Sequence, residues 1–262
     1  MTRAQTKTIA SEIFDEVSAI LAGGIFTLDE FTRARLERKA HDALQADQLL
    51  GYQALALIAS LDWNNAAVDE YFGKAMRFES GGSAEENYAT CLMSLNRFQE
   101  AAVVAEKASA LQPTDLASLR SAIEVNWCGG RWQRAMELTE TLRHRSPKED
   151  WALYSPRERL MEVTCDLGVP FDTIERLFNA LYSFLADKQV RSRACSSAID
   201  TTPGDTAIYV SIKVDGSNEQ VQMLDDELTP LLFDAVDELP LGSFFIGLEP
   251  VDAEGTRELH VA

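Results

Sequence analysis

Long hydrophobic runs are missing from this sequence. None of its 262 residues belongs to an apolar stretch of about 18 residues, so no membrane-spanning helix is predicted. The N-terminus also lacks the uninterrupted apolar segment of a secretory signal peptide, because Glu12, Asp15 and Glu16 interrupt it. These two absences predict a cytoplasmic protein that does not interact with membranes.

Residues and motifs typical of catalysis are scarce. There are three histidines, His41, His144 and His260, and they lie far apart. The four cysteines form no CxxC pair, which favours reduced thiols over a disulfide framework or a zinc site. Phosphate-binding loops, dinucleotide-binding glycine motifs, nucleophile elbows and HExxH are all missing. We therefore expect no enzyme activity, no catalytic residue, no metal and no cofactor.

Positive charge is also in short supply. The chain has 42 acidic and 24 basic residues, a net charge of −18, and residues 200–262 hold 14 acids against Lys213 and Arg257. Such a field repels phosphate backbones, which argues against nucleic-acid binding. Two interpretations of the acidic segment stay open: it attracts a basic partner, or it keeps the protein soluble.

Helical periodicity dominates the part of the sequence before residue 190. Ile9, Ile13, Val17 and Ile20 recur at the spacing of one helix face, which predicts N-terminal helices within residues 1–47. The apolar residues between positions 155 and 185 follow the same spacing and predict another helical pair.

A repeat lies between these segments. The residues around Phe98 and Ala101 match those around Trp132 and Ala135, and an earlier copy surrounds Phe72. Each copy begins about 34 residues after the one before it, a period typical of stacked helical hairpins.

This pattern resembles the tetratricopeptide repeat (TPR) over residues of about 48–147. In that family, small residues let two helices approach closely, an aromatic residue wedges between them, and a proline ends the second helix. The middle copy carries the resemblance furthest, through Tyr88, Ala89, Leu92, Phe98, Ala101, Ala108 and Pro113. The resemblance implies an array over residues 48–190, in which the last helical pair is either a degenerate fourth unit or the capping helices of the array.

The resemblance also implies a binding groove lined by the first helix of each hairpin. Leu57, Met93 and Trp127 would form an apolar strip in it, and ordinary packing between helices is the competing interpretation for every position. The groove positions are Gln53, Leu57, Ser60, Glu86, Thr90, Met93, Arg120, Glu124 and Trp127.

The C-terminal segment changes from helical to alternating patterning. The small polar residues 196–205 are typical of a linker, and residues 208–214 alternate as in a strand. Asp215-Gly216 predicts a hairpin turn into a return strand at residues 220–224. A helix is then expected from Thr229, and strands at residues 243–251 and 257–261.

The expected fold class is mainly α, with a TPR-like helical repeat array and a small α+β (ββαββ) C-terminal domain over residues 205–262. The acidic run Asp225, Asp226 and Glu227 would then precede a helix start, where the helix dipole favours negative charge.

The function expected from these features is that of a protein-interaction scaffold, adaptor or chaperone-like protein that binds a segment of a protein or peptide partner in the groove. The alternative is an acidic inhibitor or regulator, of the antitoxin or immunity type, that masks a basic surface of a partner enzyme. Weakening of binding by salt would distinguish the second from the first.

Overall fold

The computed structural model describes residues 3–22, 28–147, 151–202, 205–236 and 243–251. The protein is mainly helical with a small three-stranded sheet, which confirms the predicted fold class at that level. No helix in the described ranges is long and apolar enough to cross a membrane. The chain divides into a first compact unit, residues 1–95 and 100–118, and a second unit, residues 96–99 and 119–262.

The elements follow one another with short connections, and a 3-10 turn, Trp151–Tyr154, precedes α9. In chain order they are α1 (Arg3–Ala22), α2 (Glu30–Ala46), α3 (Gln48–Leu61), α4 (Asn65–Ala75), α5 (Ser83–Ser94), α6 (Phe98–Leu111), α7 (Leu116–Cys128), α8 (Trp132–Arg145), α9 (Ser155–Asp166), α10 (Phe171–Asp187), β1 (Ser192–Thr202), β2 (Asp205–Val214), α11 (Asn218–Asp234) and β3 (Phe244–Pro250).

The first unit begins with three mutually packed helices. Ile13, Leu36 and Ile58, from α1, α2 and α3, are buried in one apolar cluster. Asp47 joins α2 to α3, and its side chain accepts a hydrogen bond from the Leu50 amide at 3.2 Å. Because this cap satisfies an amide that α3 itself leaves unpaired, the second helix can begin immediately after the first ends.

Aromatic packing continues through α4 and α5 of the same unit. Phe72 is fully buried and stacks on Tyr88 with ring centroids 4.8 Å apart. The Tyr88 hydroxyl donates to Asp69 Oδ1 at 2.7 Å, so the ring has both an apolar and a polar anchor. The buried Cys91 has its Sγ 4.0 Å from the Ala56 carbonyl oxygen, which places α5 directly beside α3.

The turn within each helical hairpin repeats along the chain. Trp63, Asn96 and Gly130 precede α4, α6 and α8, and all three have positive φ, at 56°, 58° and 77°. After α3 and after α7, the same two backbone hydrogen bonds close the helix end in a Schellman cap. The sequence period near 34 residues is therefore also a period in backbone conformation.

The second unit is built around aromatic residues of α8 and α10. Trp132 is buried, stacks on Trp127 with centroids 5.0 Å apart, and donates its Nε1–H to the Trp127 carbonyl oxygen at 3.1 Å. Phe178 meets the Trp132 ring edge-on at 6.1 Å. The predicted apolar face of α10 is confirmed, since Ile174, Leu177 and Leu181 are fully buried.

The sheet has the order β1-β2-β3, with β1 antiparallel and β3 parallel to β2. Ile208, Val210, Ile212 and Val214 of β2 are buried, and the residues between them point to the opposite side. The parallel pairing is possible because α11 carries the chain back between β2 and β3, as a crossover requires.

The predicted linker at residues 196–205 is wrong. Residues 192–202 form β1, which pairs with β2 through Ile199 opposite Ile208 and Ser197 opposite Val210. Small polar residues are typical of loops. An edge strand can also consist of serine, alanine and threonine when the neighbouring strand supplies the apolar contacts.

Three further predictions are wrong: the hairpin at Asp215-Gly216, the return strand at residues 220–224 and the helix start at Thr229. The turn at Asp215-Gly216 leads into α11, which begins at Asn218 and covers both later positions. Ser217 and Gln220 form a reciprocal capping box that starts the helix right after the turn. Pro230 lies inside α11 and does not begin it.

The described part of the C-terminal segment is therefore ββαβ and includes β1, whereas ββαββ was predicted. The strands predicted at residues 208–214 and 243–251 are confirmed as β2 and β3. The fourth strand, predicted at residues 257–261, lies outside the described residues.

Candidate functional site

A cavity of about 700 Å³ lies against the sheet of the second unit. We call it the sheet cavity. Its walls come from all three strands, from α11 and from Leu177 of α10. Its lining residues are Leu177, Ser196, Ser197, Ala198, Tyr209, Val210, Ser211, Lys213, Asp225, Thr229, Leu232, Phe233 and residues 244–249.

An aromatic pair forms one end of the sheet cavity. Tyr209 of β2 and Phe245 of β3 are direct register partners, and their rings stack with centroids 4.9 Å apart and planes 9° apart. Both side chains line the cavity and remain 43% and 44% exposed. The pair is therefore an exposed, pre-stacked aromatic surface.

A charged pair, Lys213 and Glu249, lies four residues further along the same strands. Glu249 accepts a hydrogen bond from the Ser211 hydroxyl at 2.6 Å, and its other carboxylate oxygen lies 3.2 Å from Lys213 Nζ. The Ser211 hydrogen bond lowers the pKa of Glu249, with Lys213 adding to the effect. The carboxylate is therefore ionised and held in place at neutral pH.

Gly247 separates the aromatic pair from the charged pair. It is the register partner of Ser211, and a Cβ placed on it would lie 3.0 Å from Asp225 Oδ1. That same oxygen accepts a hydrogen bond from the Leu248 amide at 2.8 Å, which anchors α11 to β3. The missing side chain thus leaves room for Asp225 to reach the strand backbone.

The remaining wall comes from the C-terminal half of α11. Leu232 is buried, whereas Phe233 lines the cavity and is largely exposed. Thr229 donates its hydroxyl to the Asp225 carbonyl oxygen at 2.8 Å. The site therefore combines aromatic and aliphatic surface with carboxylates, an arrangement suited to binding a ligand that has both apolar and polar parts.

The acidic run in α11 does not precede a helix start, so the predicted dipole role is wrong. Asp225 binds the β3 backbone, Asp226 accepts from Gln222 at 2.9 Å, and Glu227 forms an ion pair with Lys188. In the described residues, no group of three or more His, Cys, Asp and Glu side chains is placed to hold a metal ion.

The predicted groove residues of α3 are mostly buried. Gln53 is buried and accepts from Asn87 Nδ2 at 3.2 Å, and Ser60 is buried with its hydroxyl donated to the Leu57 carbonyl. Leu57 itself is partly exposed.

The predicted residues of α5 form a row along one side of that helix. Glu86, Thr90 and Met93 are spaced by four and three residues, which places them on one face. Thr90 is exposed, and the other two are partly exposed.

The predicted residues of α7 belong to the second unit and are held by α9. Arg157 forms a bidentate pair with Glu124, at 2.8 and 2.6 Å, and its guanidinium lies 4.9 Å from the Trp127 ring centroid. Trp127 is only 5% exposed, so it offers little surface to a partner, and Arg120 is partly exposed.

Sequence reasoning missed the sheet cavity. The alternation of Tyr209, Ser211 and Lys213 with apolar residues was visible, but it indicates only that these side chains share a face. The parallel register of β2 with β3 brings Phe245 and Glu249 beside them, and no local pattern encodes that register.

Comparisons with protein-family models, with curated proteins and with solved structures give no match for this chain.

Proposed function

We propose that this chain is a cytoplasmic scaffold or adaptor of the TPR type that holds a segment of a partner protein against the first helices of its hairpins. A chaperone-like role would use the same surface. The observation that carries the proposal is a recurring turn: a residue with left-handed backbone conformation precedes each of α4, α6 and α8, at Trp63, Asn96 and Gly130.

The surface offered for binding in the first unit lies on α3 and α5. These helices are adjacent, because Gln53 and Asn87 are hydrogen-bonded between them. We call Leu57, Glu86, Thr90 and Met93 the helical row. Its leucine and methionine are suitable anchors for apolar side chains of a partner, and Glu86 would favour a polar or basic neighbour. In the second unit, the residues of α7 proposed to contact a partner are Arg120 and Glu124.

A peptide selection tests this proposal. Random peptides displayed on phage would be selected on the full chain, and the enriched peptides synthesised and titrated. Thr90→Glu adds a charge in the middle of the helical row and is expected to weaken binding by about tenfold, since a misplaced charge in an apolar contact costs about 1.4 kcal/mol or more.

Val103→Glu is the matched control, because Val103 of α6 is 63% exposed and lies outside the helical row. It should bind the selected peptides as the unchanged chain does. Selection of no peptide, or equal weakening by the two variants, would refute binding at the helical row.

We propose an acidic regulator as the second candidate function, and α11 favours it. This helix carries five carboxylates, Glu219, Asp225, Asp226, Glu227 and Asp234, and no basic residue. A partner with a basic surface would be attracted to it, and raising the ionic strength would weaken that complex steeply.

A further inference from the structure

We propose that the sheet cavity binds an arginine-bearing segment of a partner protein, with the guanidinium group stacked on the outer face of the Tyr209–Phe245 pair and an apolar neighbour against Phe233. This inference rests on the second candidate function, that of an acidic protein with a basic partner. To that function it adds the site at which the partner binds and the side chain that is recognised there.

The aromatic pair selects for a flat cation. The rings of Tyr209 and Phe245 stack on each other, so each covers one face of its neighbour and leaves its outer face for a cation. A guanidinium group is planar, is weakly hydrated and stacks on aromatic faces, whereas an ammonium group is compact and strongly hydrated. Arginine therefore fits this surface better than lysine.

Charge complementarity points to the same occupant. Asp225 and Glu249 line the cavity, and Lys213, the one basic residue among the described lining residues, is already paired with Glu249. Asp200 of β1 and Asp234 of α11 are exposed on elements that also line the cavity, and both carry negative charge. A cationic segment gains from this field, and an anionic one is repelled.

The cavity is large enough to bind a segment of a partner chain and not only a single side chain. Its volume of about 700 Å³ lies within the range of sites that hold drug-sized ligands. Leu232 and Phe233 of α11 add apolar surface to a lining that also contains Tyr209 and Phe245. An arginine next to a leucine or an aromatic residue can therefore contact both kinds of surface.

The probe for this inference is a short fluorescent peptide in which arginine alternates with leucine, titrated against the full chain. A second peptide carries citrulline, which keeps the shape of arginine but removes its charge. We expect the citrulline peptide to bind about tenfold more weakly, and Phe245→Ala to weaken the arginine peptide by about fivefold.

Met223→Ala is the matched control on the same unit, because Met223 is 65% exposed on α11 and does not line the cavity. It should leave the affinity unchanged. Circular dichroism of Phe245→Ala checks that the fold survives, and Tyr209→Ala should reproduce the loss of binding.

Two failures are distinguishable. Binding of the arginine peptide that weakens with salt but is insensitive to Phe245→Ala and Tyr209→Ala overturns the sheet cavity as the site and leaves the acidic regulator standing. Equal binding of the arginine and citrulline peptides, or no binding of either at low salt, overturns both proposals.

Discussion

Gly130→Ala is expected to lower the free energy of unfolding by about 3 kcal/mol. Gly130 has a φ of +77°, in the left-handed region that an L side chain adopts at a cost. A Cβ there would also lie 2.6 Å from Cγ of Phe178, a fully buried ring that packs on Trp132. Backbone strain and overpacking therefore add, and the ring has little space into which it can move.

Gly168→Ala separates the two contributions. Gly168 has a similar φ, +69°, but no atom lies within 4 Å of the position that a Cβ would occupy there. Only the backbone cost remains, so we expect a loss of about 1 kcal/mol. Chemical denaturation followed by tryptophan emission and circular dichroism measures both variants. Equal losses would show that Phe178 does not close over Gly130 as described.

Gly51→Ala is expected to destabilise the first unit by at least about 2 kcal/mol, even though alanine is the better helix former. A Cβ on Gly51 would lie 2.5 Å from the backbone nitrogen of Leu44 and would also collide with its Cα. Backbone atoms cannot rotate away as a side chain can. The first turn of α3 and the last turns of α2 must therefore separate.

Gly73→Ala, in the neighbouring helix α4, is expected to have the opposite effect on stability. Gly73 lies within α4, and no atom lies within 4 Å of the position that a Cβ would take. Alanine should therefore stabilise the protein by up to about 1 kcal/mol through helix propensity alone. If Gly51→Ala also stabilises, the close approach of α2 to α3 is incorrect.

The helical part of the chain was the more predictable part. Its apolar residues follow the helical period, and its turns are local features, so the starts of α6 and α8 at Phe98 and Trp132 agree with the repeat read from the sequence. Burial was less predictable. The resemblance assigns Gln53 and Trp127 to a groove, but neighbours distant in sequence, such as Asn87 and Arg157, cover them.

The C-terminal segment shows competition between local patterns. Asp215-Gly216 is typical of a hairpin, and Ser217 with Gln220 is typical of a helix start; the second pattern prevails, because α11 then buries Val221, Leu228 and Leu232. The serine-rich β1 was missed because its pairing with β2, and not its own composition, makes it a strand.

Photo-crosslinking in cells tests most directly whether the helical row holds a partner segment. A benzoylphenylalanine would replace Thr90 in the full chain, and in a second variant it would replace Val103 on α6. We predict that Thr90 gives an adduct with a discrete protein, that the same adduct forms from Met93, and that Val103 gives none. An adduct of equal yield from Val103, or none from Thr90 and Met93, would contradict the scaffold account.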